Sequence, residues 1–286
     1  MTPIDQDLLR QVCGSQPPPM PEPGLRLCLE LAADEATAPQ FLVDSLADVP
    51  SLNRRFLVLA GAFLPEMSPV PSTRAALDLL TAGQTADLLW VLALSDAMQA
   101  PQTRSSDRLW KHSLLTAATV RQVRQHLAKP PRGSAWVAGM AHDIGHLLMP
   151  GPATGQGIDW HAEHDRLADQ NPGPLPTRNH CLIGGSLLSL WNAPPPLVDT
   201  ARFHHQPATA DAKSRAVVAL VRLADLIAEH VDAENLREEL ALEQSSAWKI
   251  VDDWCGLKSQ SAEQLIADVL IPASVLAERW AGLLAK

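Results

Sequence analysis

The chain has 286 residues, 46% of them hydrophobic, and a formal charge of −9, so it is long enough for one large domain or two modest ones with a substantial core. The acidic balance argues against a nucleic-acid partner held mainly by phosphate contacts, which need a basic face. No run of roughly 18 apolar residues predicts a membrane span.

Taken in order, the pattern is helical almost throughout, and the fold class expected is all-α. The first residues, MTPIDQDLLRQVCG, predict a short helix or arm over 1–16 and lack the basic-then-apolar pattern of a secretory signal. PPPMPEPG (Pro17 to Gly24) is a stiff lead-in. Gly24 to Ala33 places Leu25, Leu27, Cys28, Leu29 and Leu31 around a buried helix, and Ser51 caps a helix running to Phe63 through Leu52, Phe56, Leu57 and Leu59. Arg74–Thr81 and Thr85–Met98 continue the series, and LLWVLAL is apolar on all sides and predicts deep burial. Pro130-Pro131 separates two helices, and Pro194-Pro195-Pro196 ends the helix that carries His180, because an interior proline lacks the N–H donor. Pro150 to Pro176 predicts a loop with one short helix around Trp160–Asp169. Beyond His230 the chain becomes more charged, then closes on LIPASVLAERWAGLLA, a helical extension. There is no internal repeat. The cysteines, Cys13, Cys28, Cys181 and Cys255, form no CxxC pair and read as reduced thiols of a cytoplasmic protein.

The chemistry lies in an ordered series: His112, His142-Asp143, His180, His204-His205 and Asp225. Nine of the ten histidines fall between His112 and His205. Imidazoles and carboxylates are ligands for first-row transition metals, and a hydrolytic site draws them from several rigid elements. GMAHDIG is read as lying on a helix, where adjacent side chains diverge by about 100°, so His142 and Asp143 share one ion or bridge two only at an open helix end. The set suffices for two ions, with Asp143 as the bridging carboxylate. Asn179 is the expected cap of the His180 helix, and Gly184-Gly185 allow close helix packing.

The series His112, His142-Asp143, Asp225 resembles that of the HD superfamily of metal-dependent phosphohydrolases. More specifically, WKHSLLTAA, AGMAHDIGHLLM, NHCLIGGSLLSLWNAPPPL and ARFHHQP resemble, in order, the successive motifs of the HDOD family, the HD-related output domain. PPMPEPGLRLCLELAAD, LADVPSLNRRFLVLAG and RAALDLLTAGQTADLLWVLAL resemble its proline-rich start and helical lobe. The resemblance implies an HDOD domain over 17–230, with a helical lobe at 17–100 and an HD-type core at 101–230, followed by an extension over 231–286. It also implies a bacterial signal-transduction output module without enzymatic activity of its own. Such a module acts through a bound ligand or a protein partner: a sensor kinase, a receiver or a cyclic-dinucleotide enzyme.

The related HD-GYP proteins cleave cyclic di-GMP, and this chain departs from them at defined points. HHQPATADAKS stands where their longer signature ends in Gly-Tyr-Pro, and the chain has no tyrosine. His146 stands where they carry a phosphate-contacting lysine, and Arg108 where trinuclear relatives place a glutamate, which argues against a third metal. Two readings of the seven residues remain. They hold iron, manganese or zinc, in the alternative as a metal-dependent phosphohydrolase acting on a nucleotide or cyclic dinucleotide. Or they are a relic network that joins helices.

The remaining motif residues have plainer readings. His126 and His230 are core or capping groups, while His161 and His164 are solvated loop residues. Trp110, Trp136 and Trp191 pack the core, and Cys181 is a small buried residue. His142 and His146 do not make a zincin pair, because Asp143 stands where that motif needs glutamate.

Overall fold

The computed structural model describes residues 2–34, 36–100, 104–149, 179–232, 242–259 and 261–285. Among these residues there are thirteen α-helices and no strand, so the chain is all-α. They are α1 (Pro3–Cys13), α2 (Pro23–Ala33), α3 (Pro39–Ala47), α4 (Pro50–Phe63), α5 (Thr73–Leu79), α6 (Ala82–Gln99) and α7 (Arg104–Gln125). There follow α8 (Ala135–Ala141), α9 (His180–Leu190), α10 (Pro195–Phe203), α11 (Arg215–Asp232), α12 (Ser246–Cys255) and α13 (Ala262–Leu284). The predicted loop from Pro150 to Pro176, with its short helix and with His161 and His164, lies outside the described residues. None of the described helices is long and apolar enough to cross a membrane, and none of the four cysteines is in a disulfide.

The chain divides into two compact units, one of residues 1–18 and 101–279, the other of residues 19–100 and 280–286. The second contains α2 to α6. Its centre is α6, which opens on a capping box: the Thr81 hydroxyl accepts from the Gln84 N–H while the Gln84 side chain accepts from the Thr81 N–H. The run Leu88 to Ser95 on α6 is buried on every side, as the apolar sequence requires, because α2 and α4 pack against it. Two expectations fail in this unit. Leu27 is 47% exposed, so α2 is amphipathic and buries only the Leu25, Cys28, Leu29 face. Ser51 does not cap α4. That helix starts one residue earlier at Pro50, behind Val49, because proline's fixed φ and missing N–H suit the first helical position.

The first unit carries every residue of the predicted ligand series. Its axis is α7, packed against α8 and α11. Gly139 allows the close crossing of α8 on α7, since a Cβ there would lie 3.3 Å from the Ala117 Cα. α9 and α10 form a hairpin. Its turn is set by Trp191, which closes the last turn of α9, and by Asn192 at φ 56°. The three prolines therefore do not end α9. They come later, and Pro195 opens α10. α12 packs on α11, and Leu127 pairs with Leu257 in an isolated antiparallel bridge.

Helix α1 belongs to this unit and lies against α9. Thr2 and Asp5 form its capping box, and Asp5 also accepts from the Ser186 hydroxyl on α9 at 2.8 Å and pairs with Arg202 on α10. Burial by itself would raise the Asp5 carboxyl. The Thr2 N–H, the Ser186 and Thr2 hydroxyls and the Arg202 guanidinium outweigh that effect and hold it below its ordinary value of 3.8.

Candidate metal centre

Five helices deliver the site: α7 supplies His112, the end of α8 His142 and Asp143, the start of α9 His180, the end of α10 His204 and His205, and the middle of α11 Asp225. The reading of HDIG as helical is corrected. α8 stops at Ala141, His142 caps it at φ −56° and ψ −37°, and Asp143 turns at φ −102° and ψ 11° into a 3₁₀ turn over Ile144–Leu148. The reason is steric. A Cβ at Gly145 would fall 2.0 Å from the His180 carbonyl oxygen and 2.7 Å from the Gly184 N, so the turn lies directly on the backbone of α9. That break opens the helix end, and both His142 and Asp143 face inward.

All seven residues converge. His142, Asp143, His180, His204 and Asp225 are fully buried, His112 is 9% exposed, and His205 is half-buried. The Asp143 carboxylate divides them into two compartments. Its Oδ2 faces His142 Nε2 at 3.4 Å and His112 Nε2 at 3.8 Å. Asp225 Oδ1 completes that side, 3.0 Å from His112 Nε2 and 3.3 Å from His142 Nε2. The other oxygen, Oδ1, faces His180 Nε2 at 3.3 Å and His204 Nε2 at 3.4 Å. His205 Nε2 lies 3.2 Å from His180 Nε2, and His180 and His204 meet through Nε2 at 3.3 Å.

Proton counting shows that these groups fit a metal. His142 Nδ1–H donates to the Gly139 carbonyl at 2.7 Å and His204 Nδ1–H to the Thr200 carbonyl at 3.0 Å. In a neutral His204 ring this leaves a bare Nε2 lone pair pointing at the Asp143 carboxylate. Burial drives the His204 imidazole down to about 4, opposed only in part by Asp143, so the ring is neutral near pH 7. The buried His142 Nε2 makes no hydrogen bond. The single N–H available at His180 Nε2 cannot serve His204, His205 and Asp143 at once. One cation among these nitrogens and carboxylate oxygens, 3.2–3.4 Å apart, would satisfy them together.

The periphery is also ordered. Arg222 Nη1 donates to Asp225 Oδ2 at 2.6 Å. Burial alone would raise Asp225, but His142, His112 and Arg222 hold it well below its ordinary value. Arg108 is exposed, one turn before His112 on α7. His146, at the position of the relatives' lysine, is 6% exposed and stacks on His180 with centroids 4.2 Å apart.

Two residues enter this cluster that were not counted in the sequence series. His146 shares a potential ligand group with Asp143 and His180; three residues per turn in a 3₁₀ segment place 143 and 146 on one side. Cys181, read as a small packing residue, is buried, but its Sγ lies 3.3 Å from His180 Nε2. Among the plainer readings, Trp191 is buried, Trp110 and Trp136 are half-buried, and Arg121 lies over Trp136. His126 falls just beyond the end of α7, and His230 in the last turns of α11.

Comparison with known proteins agrees with the architecture. The HDOD domain model matches residues 18–207. An HDOD domain protein of unknown function from Geobacter sulfurreducens superposes with a TM-score of 0.61 at 20% identity, covering 99% of this chain and 96% of its own. A provisionally named metal-dependent phosphohydrolase from Shewanella amazonensis SB2B superposes at 0.60 with 14% identity, over 96% of this chain and 98% of its own. A provisionally named signal transduction protein from Marinobacter aquaeolei VT8 reaches 0.64 at 19% identity, over 99% of this chain and 66% of its own. No curated protein matches the sequence.

Proposed function

The chain belongs to the HDOD family, and on that premise we propose that it is a cytoplasmic bacterial signalling output module built around a closed transition-metal centre. His112, His142, Asp225 and Asp143 Oδ2 would hold one ion, and His180, His204, His205 and Asp143 Oδ1 a second, with iron, manganese or zinc suited to these ligands. Its output would pass to a protein partner of signalling type: a sensor kinase, a receiver or a cyclic-dinucleotide enzyme.

The observation that carries this reading is burial. Five of the seven ligand candidates have no exposed surface, and closed ligand sets are the mark of structural rather than catalytic sites. His146, where a phosphate-binding cation would be needed, is packed flat on His180 instead. Residues around the pair would then have positional work: α8, α9 and α10 keep their mutual geometry only while their end groups share a centre.

A second reading has its own support. The two oxygens of Asp143 face different imidazole sets, which is how a carboxylate bridges two ions in phosphate hydrolysis. In that case the bound ions would polarise a phosphate and activate water, and this chain would act as a phosphohydrolase on a nucleotide or cyclic dinucleotide.

One experiment separates the two. Metal content of the purified protein would be measured, and turnover of a chromogenic phosphodiester and of cyclic dinucleotides assayed after loading with iron, manganese or zinc. The output module predicts one or two metals per chain and no turnover above the level of the H142A/D143A double variant. Turnover that the double variant abolishes would establish the hydrolase. A metal-free chain with an intact fold that also takes up none on loading would leave the relic network.

A further inference from the structure

The compartment on the Oδ1 side of Asp143 contains a sulfur. From this we infer that Cys181 is a metal ligand, taking the place given above to Asp143 Oδ1 and completing a three-imidazole, one-thiolate site with His180, His204 and His205. The inference rests on the metal-centre reading above and adds to it the ligand type, and with it the metal preference, of one compartment.

The geometry is specific. His180 Nε2 lies 3.3 Å from Cys181 Sγ, 3.3 Å from His204 Nε2 and 3.2 Å from His205 Nε2, and all four ligand atoms lie within 4.8 Å of one another. Zinc bound tetrahedrally has Zn–N of about 2.0–2.1 Å and Zn–S of about 2.3 Å, which place neighbouring donors about 3.3–3.6 Å apart. Three of these contacts converge on the one Nε2 of His180, which carries at most one N–H. A thiol and three imidazoles are all weak or single donors, and His204 spends its Nδ1–H on the Thr200 carbonyl.

The backbone also places the sulfur. Cys181 is the second residue of α9, capped by the Asn179 side chain, which accepts from the Leu182 N–H. That position in the first turn sets the sulfur beside the His180 ring, 3.3 Å from its Nε2. The site is also placed by α9 against the turn, where Gly145 allows the His180 backbone to approach.

The two compartments would then differ in kind. His112, His142 and Asp225 offer nitrogen and oxygen, ligands shared by manganese, iron and zinc. The thiolate compartment favours zinc or another thiophilic metal over manganese. Zinc supplied in limiting amount should therefore enter the Cys181 side first.

The test is X-ray absorption on the full chain loaded with one equivalent of zinc and desalted. The wild type should show a sulfur shell at about 2.3 Å beside a nitrogen and oxygen shell at about 2.0 Å. Cys181→Ser, nearly isosteric and checked for its fold by circular dichroism, should lose the sulfur shell and weaken zinc retention by at least about tenfold, since groups that merely orient a ligand already cost that much. Cys13→Ser should keep both. Zinc retained with nitrogen and oxygen neighbours only would overturn the thiolate ligand while leaving the metal centre standing. A sulfur shell that persists in Cys181→Ser would assign it to another cysteine and overturn the inference equally. Zinc not retained at all would remove the metal centre and the sulfur ligand together. The wild-type spectrum decides the matter even where the variant does not fold.

Discussion

At the scale of single residues, Gly145 has the largest consequence. Its Cα–H side faces the His180 carbonyl and the Gly184 N, so any side chain must push two backbones apart. Gly145→Ala should destabilise the fold by about 1–3 kcal/mol, the range for forced overpacking, and should loosen metal binding because His180 and Asp143 move apart. Gly83→Ala is the control. Nothing lies within 4 Å of its Cβ, and the position is helical, so the change should be neutral or stabilise by roughly 0.4–1 kcal/mol. Chemical denaturation of both variants measures this; equal midpoints would show that the turn is not sterically fixed. The ligand residue types were legible in the sequence because each stands in a short motif of fixed order. The role of Gly145 was not, since its constraint comes from atoms 35 and 39 residues further along the chain.

At the scale of elements, α1 acts as a strap. Asp5 meets Ser186 across 181 residues and Arg202 across 197, and these partners sit on the helices that end in or begin with His180 and His204. Sequence patterning could predict a short amphipathic helix at the N-terminus, but not its docking place, because pairing over such distances leaves no local periodicity. The same limit explains Cys181: its adjacency to His180 was visible, while His204 and His205 reach it only through the α9–α10 hairpin. Helix starts were half legible. Asn179 caps α9 as its sequence position suggests, but α4 opens on Pro50 behind Val49, which leaves Ser51 inside the first turn. Asp5→Asn should cost about 1–3 kcal/mol near neutral pH, as a partly buried ion pair and hydrogen-bond acceptor is lost. The sign with pH follows from the lowered carboxyl. The folded state binds the proton more weakly than the unfolded chain, so the Asp5 contribution is complete above about 3.8 and disappears as pH falls through the folded-state value. The stability difference between wild type and Asp5→Asn should thus be level from pH 5 to 8 and shrink toward pH 3. A difference that grew on acidification would refute the assignment.

At the scale of the whole molecule, the centre joins five helices of the first unit. An ion that binds only the folded state stabilises it by about 2.7 kcal/mol at a hundredfold excess over its Kd. At about 2–4 °C per kcal/mol for a unit of this size, saturation with zinc or manganese should raise Tm by roughly 5–10 °C, and chelation should reverse it. Differential scanning calorimetry reads this directly, and an unchanged Tm would count against a metal centre. The extent of the folded unit carries a practical corollary. The family-matched stretch stops at residue 207 and opens at residue 18, so excising it would discard the Asp225 carboxylate at one border and the Asp5 anchor at the other. Such a fragment would keep every histidine of the centre, yet Arg202 and Ser186 would lose their acceptor and one compartment its only private carboxylate. Borders drawn by likeness to a family and borders drawn by folding do not coincide in this chain.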